Sequence, residues 1–89
     1  MSRVEFKAGY YEWNIFIDGE YFYTFGDGVG EDIPYDATYA DLENIVEDYI
    51  DYMNMDLQTN EKDMLDESLR AELKEQMVAL WGYHYGVTD

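Results

Sequence analysis

Between Tyr11 and Phe25 the chain reads YEWNIFIDGEYFYTF, two runs of aromatic and β-branched residues on either side of Asp18-Gly19. Asp-Gly is the pair favoured in two-residue type I′ turns, whose twist matches that of the strands they join, so residues 11–25 are read as a β-hairpin. A turn of two residues also fixes the register. Ile17 is expected opposite Glu20, Phe16 opposite Tyr21, Ile15 opposite Phe22, Asn14 opposite Tyr23 and Trp13 opposite Thr24. Trp13, Ile15, Ile17 and Phe22 then share a core face. Glu12, Asn14, Phe16, Tyr21, Tyr23 and Phe25 share the other face, which is aromatic but tipped with polar atoms.

Residues Arg3 to Ala8 alternate polar and apolar, the pattern of a half-buried strand that makes the sheet three-stranded. Residues 26–35 are rich in turn formers and contain the chain's only proline, so they are expected to be a loop. A first helix over about 38–53 starts at Thr38-Tyr39-Ala40-Asp41, which resembles a capping box with Asp in the place usual for Glu or Gln. Leu42, Ile45, Val46, Tyr49, Ile50 and Met53 follow at helical spacing. After a polar connector over residues 54–63, in which Thr59 or Asn60 would cap the next element, Leu65, Leu69, Leu73, Met77 and Leu80 mark a second helix over about 64–81 with Gly82 as its stop. Residues 83–87 are either an added edge strand or a loose end. Met53, Met64 and Met77 fall in or near these stripes and read as packing. At 89 residues this is one α+β domain, residues 1–89: a small three-stranded antiparallel sheet followed by two amphipathic helices.

The aromatic content of 18% separates the chain from disordered acidic tails, yet its formal charge is -16, from 21 acids against five bases. Such self-repulsion opposes compaction. The bases are Arg3, Lys7, Lys62, Arg70 and Lys74, so from Ala8 to Glu61 there is none, while that stretch holds 14 of the 21 acids. On the first helix Asp41, Glu43, Glu47, Asp48 and Asp51 lie opposite the apolar stripe. Glu43/Glu47 and Glu47/Asp51 are like-charge pairs at i, i+4, each costing some tenths of a kcal/mol. Five charges over ~15 Å of helix give about one per 3 Å, comparable with one phosphate per ~3.4 Å along a strand of duplex DNA. Asp27, Glu31, Asp32 and Asp36 lie in the loop before this helix, and Asp18 and Glu20 at the hairpin tip.

That charge excludes direct binding to nucleic acid or to an anionic membrane, both of which need clustered Lys and Arg. With no cysteine there is no disulfide framework, thiolate metal site or thiol nucleophile. The lone His84 has no catalytic partner in view, and the acidic loop at Asp27 to Asp32 does not have EF-hand spacing. The expectation is therefore a protein that is not an enzyme and needs no cofactor or metal. The opening residues carry no apolar run of the signal-peptide kind, and no stretch approaches the ~20 apolar residues of a membrane span, so a cytoplasmic protein is expected.

In its size, its lack of Cys, the Tyr-rich hairpin Tyr11 to Phe25 and the acidic face Asp41 to Asp51, the chain resembles a functional class. That class is the small acidic inhibitors that bacteriophages use against host restriction enzymes and CRISPR effectors, many of which are DNA mimics. The resemblance is one of architecture and composition and carries no motif, so it transfers no residue by position. It implies a partner that is a basic nucleic-acid-binding protein, such as a nuclease or CRISPR effector, met in the host cytoplasm. The binding surface expected from the residues comprises Asp41, Glu43, Glu47, Asp48 and Asp51, the loop acids Asp27, Glu31, Asp32 and Asp36, and Asp18, Glu20, Tyr21 and Tyr23 of the hairpin. The alternative is an assembly module that oligomerises through its aromatic hairpin face. Monomer and small homo-oligomer are both open on sequence.

Overall fold

Asp18 and Gly19 both take positive φ, 53° and 83°, as a type I′ turn requires. In the computed structural model, which describes residues 3–88, this turn joins β2 (Glu12–Ile17) to β3 (Glu20–Gly26), and β1 (Val4–Ala8) pairs with the other edge of β2. The sheet is antiparallel in the order β1-β2-β3. A four-residue helix α1 (Val29–Asp32) follows, then α2 (Tyr39–Thr59) and α3 (Glu67–His84). The fold is α+β, as the residue pattern indicates.

The hairpin register holds only for its first two pairs, Ile17 with Glu20 and Phe16 with Tyr21. Beyond them a bulge at Phe22 sets Ile15 opposite Tyr23, Asn14 opposite Thr24 and Trp13 opposite Phe25. One extra residue reverses the facing of everything after it. Tyr23 and Phe25 therefore turn towards the core, where Phe25 is buried, and Thr24 turns outward with Asn14. The outer row is then polar and bonded: Thr24 Oγ1 donates to Asn14 Oδ1 at 2.8 Å and stands 2.6 Å from Tyr21 Oη. Consecutive aromatics at 21, 22 and 23 suit either face, so alternation could not reveal the bulge.

β1 is an edge strand, and α3 covers its edge. The Phe6 N–H donates to Gln76 Oε1 at 2.9 Å, and Gln76 Nε2 donates to the Val4 carbonyl at 2.5 Å. A side-chain amide thus stands in for the peptide of a neighbouring strand, which blocks pairing with another chain there.

α2 begins as expected: Asp41 N–H donates to Thr38 Oγ1 at 3.2 Å and Thr38 N–H to Asp41 Oδ2 at 3.1 Å, a complete capping box. It runs past Met53 to Thr59, because Leu57 continues the stripe and is buried. The second long helix starts later than expected. Its cap is Asp66, whose carboxylate accepts from Leu69 N–H at 2.8 Å, and not Thr59 or Asn60, which end α2. Gly82 is no stop. It lies within α3, where an added Cβ would meet Tyr39 Cε1 at 2.8 Å, so it permits the start of α2 to pack against the end of α3. The stop is Gly86, at φ 68°, with Val87 N–H returning to the Gly82 carbonyl at 2.9 Å. The expected strand or loose end at residues 83–87 is instead the last helical turn and its cap.

Cross-helix contacts run in opposite order along the two chains, from Tyr39 with Gly82 to Asn54 with Leu65, so α2 and α3 are antiparallel. Together they cover one face of the sheet. Val4, Phe6, Trp13, Ile15 and Phe25 meet Leu42, Val46, Ile50 and Met53 from α2 and Leu73, Met77 and Trp81 from α3. At the centre Trp81 is fully buried against Phe6, Trp13, Phe25 and Tyr49, with ring centroids 5.3–6.2 Å apart. Residues 26–35 are more than loop, because Val29 and Ile33 fold α1 onto the core. No helix among the described residues is long and apolar enough to cross a membrane.

Candidate protein-binding surface

The acids of α2 stand on its solvent side, and the tertiary fold divides them into two flanks. At 100° per residue Glu43, Glu47 and Asp51 lean towards one side of the stripe, and Asp41, Asp48, Tyr52 and Asp56 towards the other. α3 lies along the first side and brings bases with it. Arg70 Nη2 lies 2.6 Å from both Glu47 Oε2 and Asp51 Oδ1, and Lys74 Nζ lies 3.0 Å from Glu47 Oε1. Hydrogen bonds from Arg70 and Lys74 hold the Glu47 carboxyl below its ordinary pKa. The stretch from Ala8 to Glu61 has no base of its own, yet in the fold this flank of it is met by two. The bases come from 19 to 27 residues further along the chain, where a reading of one helix at a time does not look. Glu43 is exposed beside Lys74.

The second flank is different. Among the described residues, Asp48 is exposed and has no basic side chain within ion-pair distance, and the same holds for Asp41, Asp27, Glu31, Asp32 and Asp36. Tyr49 joins the loop acids to the helix by donating its hydroxyl to Asp32 of α1. Asp32, Asp48, Tyr49 and Tyr52 line a shallow recess of about 280 Å³, and Tyr52 is 68% exposed. Further along α2, Tyr23 Oη donates to Asp56 Oδ2 at 2.8 Å and ties β3 to the helix. Partial burial, and then these carboxylates, raise both phenols: Tyr23 to about 12, and Tyr49 well above the ordinary value.

Two clusters do not merge with this flank. Asp18 and Glu20 lie at the opposite end of the helix pair, beside Asp63, Met64 and Leu65 of the α2–α3 connector. Asp18 is held by Arg3, whose Nη2 lies 2.8 Å from its Oδ2. Tyr21 stays on the outer sheet face at 62% exposure, beside Phe16, whose ring centre lies 5.4 Å from Lys7 Nζ. Tyr23, expected at the rim, points instead to α2.

Sequence reasoning missed Tyr49, Tyr52 and Asp56 as surface partners of the acids. Helical spacing places Tyr49 in the core stripe, and it does pack against Trp81, with its hydroxyl reaching Asp32. The spacing Asp48, Tyr52, Asp56 at i, i+4, i+8 was legible as an acidic and aromatic row. Among the described residues no three acidic or histidine side chains converge to hold a metal ion. His84 is exposed, its ring edge-on to Trp13 and Tyr85 at 5.1 and 4.7 Å. Comparison with family models, with curated proteins and with solved structures finds no match.

Proposed function

We propose that this protein is a non-enzymatic acidic inhibitor that occupies the basic, nucleic-acid-binding surface of another protein. It would act as a DNA mimic of the anti-CRISPR or antirestriction kind, encoded by a phage and working in the host cytoplasm. The observation that carries the reading is the uncompensated flank. Asp27, Glu31, Asp32, Asp36, Asp41 and Asp48 are all exposed without a basic partner among the described residues, whereas Arg3, Lys7, Arg70 and Lys74 are engaged by acids elsewhere on the molecule. A surface of one sign steers an oppositely charged partner into contact and makes association sensitive to salt.

The test is competition. Purified protein mixed with a DNA-binding nuclease or CRISPR effector should form a complex that duplex DNA displaces and that Asp32→Lys with Asp48→Lys prevents. An unrelated acidic protein of equal charge serves as control. Complexes that persist unchanged in excess DNA, or that the control forms equally well, would refute the reading.

The open outer sheet face, with Phe16 beside exposed Tyr21, supports a second reading in which copies of the chain assemble through it. Sedimentation distinguishes the two. A homo-oligomer that survives high salt favours assembly, and a monomer that captures a basic protein favours inhibition.

A further inference from the structure

Resting on that reading, we infer that the recess bounded by Asp32, Asp48, Tyr49 and Tyr52 seats an arginine side chain supplied by the cationic partner. Its guanidinium stacks on the Tyr52 ring and pairs with the Asp48 carboxylate. The molecule already shows the carboxylate pairing, without a ring, on the other flank of α2, where the Arg70 guanidinium lies 2.6 Å from both Glu47 and Asp51, one helical turn apart. Asp48 and Tyr52 form the corresponding i, i+4 pair, with a ring in place of the second carboxylate. No base of the described chain reaches Asp48, Asp32 or Tyr52. The second carboxylate arrives from α1: Asp32 is fixed against α2 by the Tyr49 hydroxyl, so the recess is built before a partner comes.

Size and polarity choose the occupant. At about 280 Å³ the shallow recess has room for a single long side chain. It is lined by two tyrosines and two aspartates, a combination that complements a flat cation with an apolar stem. A guanidinium is planar and weakly hydrated, stacks on aromatic faces and reaches carboxylates through a fork of donors. A lysine ammonium is a strongly hydrated point charge that gains less from the rings.

Equal-length oligoarginine and oligolysine peptides, titrated at one ionic strength and followed calorimetrically, test the inference. Oligoarginine should bind about threefold to tenfold tighter. Tyr52→Ala, which changes no charge and removes an exposed ring, should bring the two peptides level. Tyr52→Phe should restore the preference, and Tyr10→Ala, at an exposed tyrosine in the β1–β2 connection, should leave it intact. If the peptides bind equally to the parent protein, or if the preference survives Tyr52→Ala, the recess is not an arginine seat, while binding of both peptides still upholds the acidic surface. Absence of binding by either peptide would overturn both.

Discussion

Glu61 is the residue whose backbone departs furthest from what its side chain favours. It sits at φ 58°, just past the end of α2, in the position where helices that close this way usually carry glycine. The hydrogen bonds of that closure are present: Glu61 N–H reaches the Gln58 carbonyl at 3.1 Å, and Lys62 N–H the Leu57 carbonyl at 2.8 Å. A left-handed conformer costs an L-residue roughly 1–2 kcal/mol, and a carboxylate at a helix C-terminus also opposes the dipole. Glycine loses more chain entropy on folding, which offsets part of the gain. Glu61→Gly should therefore stabilise the fold by about 1 kcal/mol, read as a shift in the urea midpoint at unchanged slope. Glu61→Gln keeps the backbone cost and relieves only the charge, so it should give the smaller part of the effect. Gly86 occupies the equivalent position at the end of α3, where the residue and the conformation agree.

At the scale of elements, the two flanks of α2 should respond oppositely to the same substitution. Glu47→Lys would place a third cation against Arg70 and Lys74, at a site where the Arg70 side chain is only 25% exposed. After discounting for solvent screening this should cost about 1–2 kcal/mol of stability. Asp48→Lys meets no base and relieves local repulsion, so thermal unfolding should show it neutral or stabilised. Binding to a cationic partner should show the reverse order of damage. The elements are also tied by Tyr23 to Asp56 and by Tyr49 to Asp32. Both phenols are raised in the fold, so their contribution is complete below the ordinary tyrosine value of 10.0 and is lost as pH rises from there through about 12, where Tyr23 ionises. Tyr23→Phe with Tyr49→Phe should flatten that alkaline loss of stability. An unchanged alkaline limb would show that ionisation of these two phenols, opposed first by burial and then by the carboxylates, does not set the alkaline limit. Elements were legible wherever the signal is local, as in the Asp18-Gly19 turn, the Thr38 cap and the apolar stripes. The Phe22 bulge and the Arg70 clamp were not, because each is decided by what packs opposite, while the extra length of α2 was open to reading in Leu57, which continues the stripe from Met53. Of the candidate site, the sequence shows which residues are acidic and lie off the stripe, but only the fold shows which of them meet a base.

For the molecule as a whole, a formal charge of -16 on 89 residues sets two processes against each other in salt. Folding gathers carboxylates that repel, and added salt screens them over a Debye length that falls from ~30 Å at 0.01 M to ~10 Å at 0.1 M ionic strength. Among the described residues most of the repelling acids are exposed and lack basic partners, whereas the attractive contacts that salt would weaken are few: Arg3 with Asp18, Lys7 with Glu5, and Arg70 and Lys74 with α2. Relief of repulsion should therefore dominate, and Tm should climb with sodium chloride, by about 4–8 °C for each 1 kcal/mol relieved in a domain of this size. Association with a basic partner should weaken over the same range, because there the like charges of one protein face the opposite charges of another. The pair of slopes is the test, since a calorimetric melt and a binding titration on the same samples read them independently. A Tm that falls with salt would mean that the ion pairs outweigh the repulsion. An affinity that does not fall would mean that contact with the partner is made through the aromatic sheet face instead.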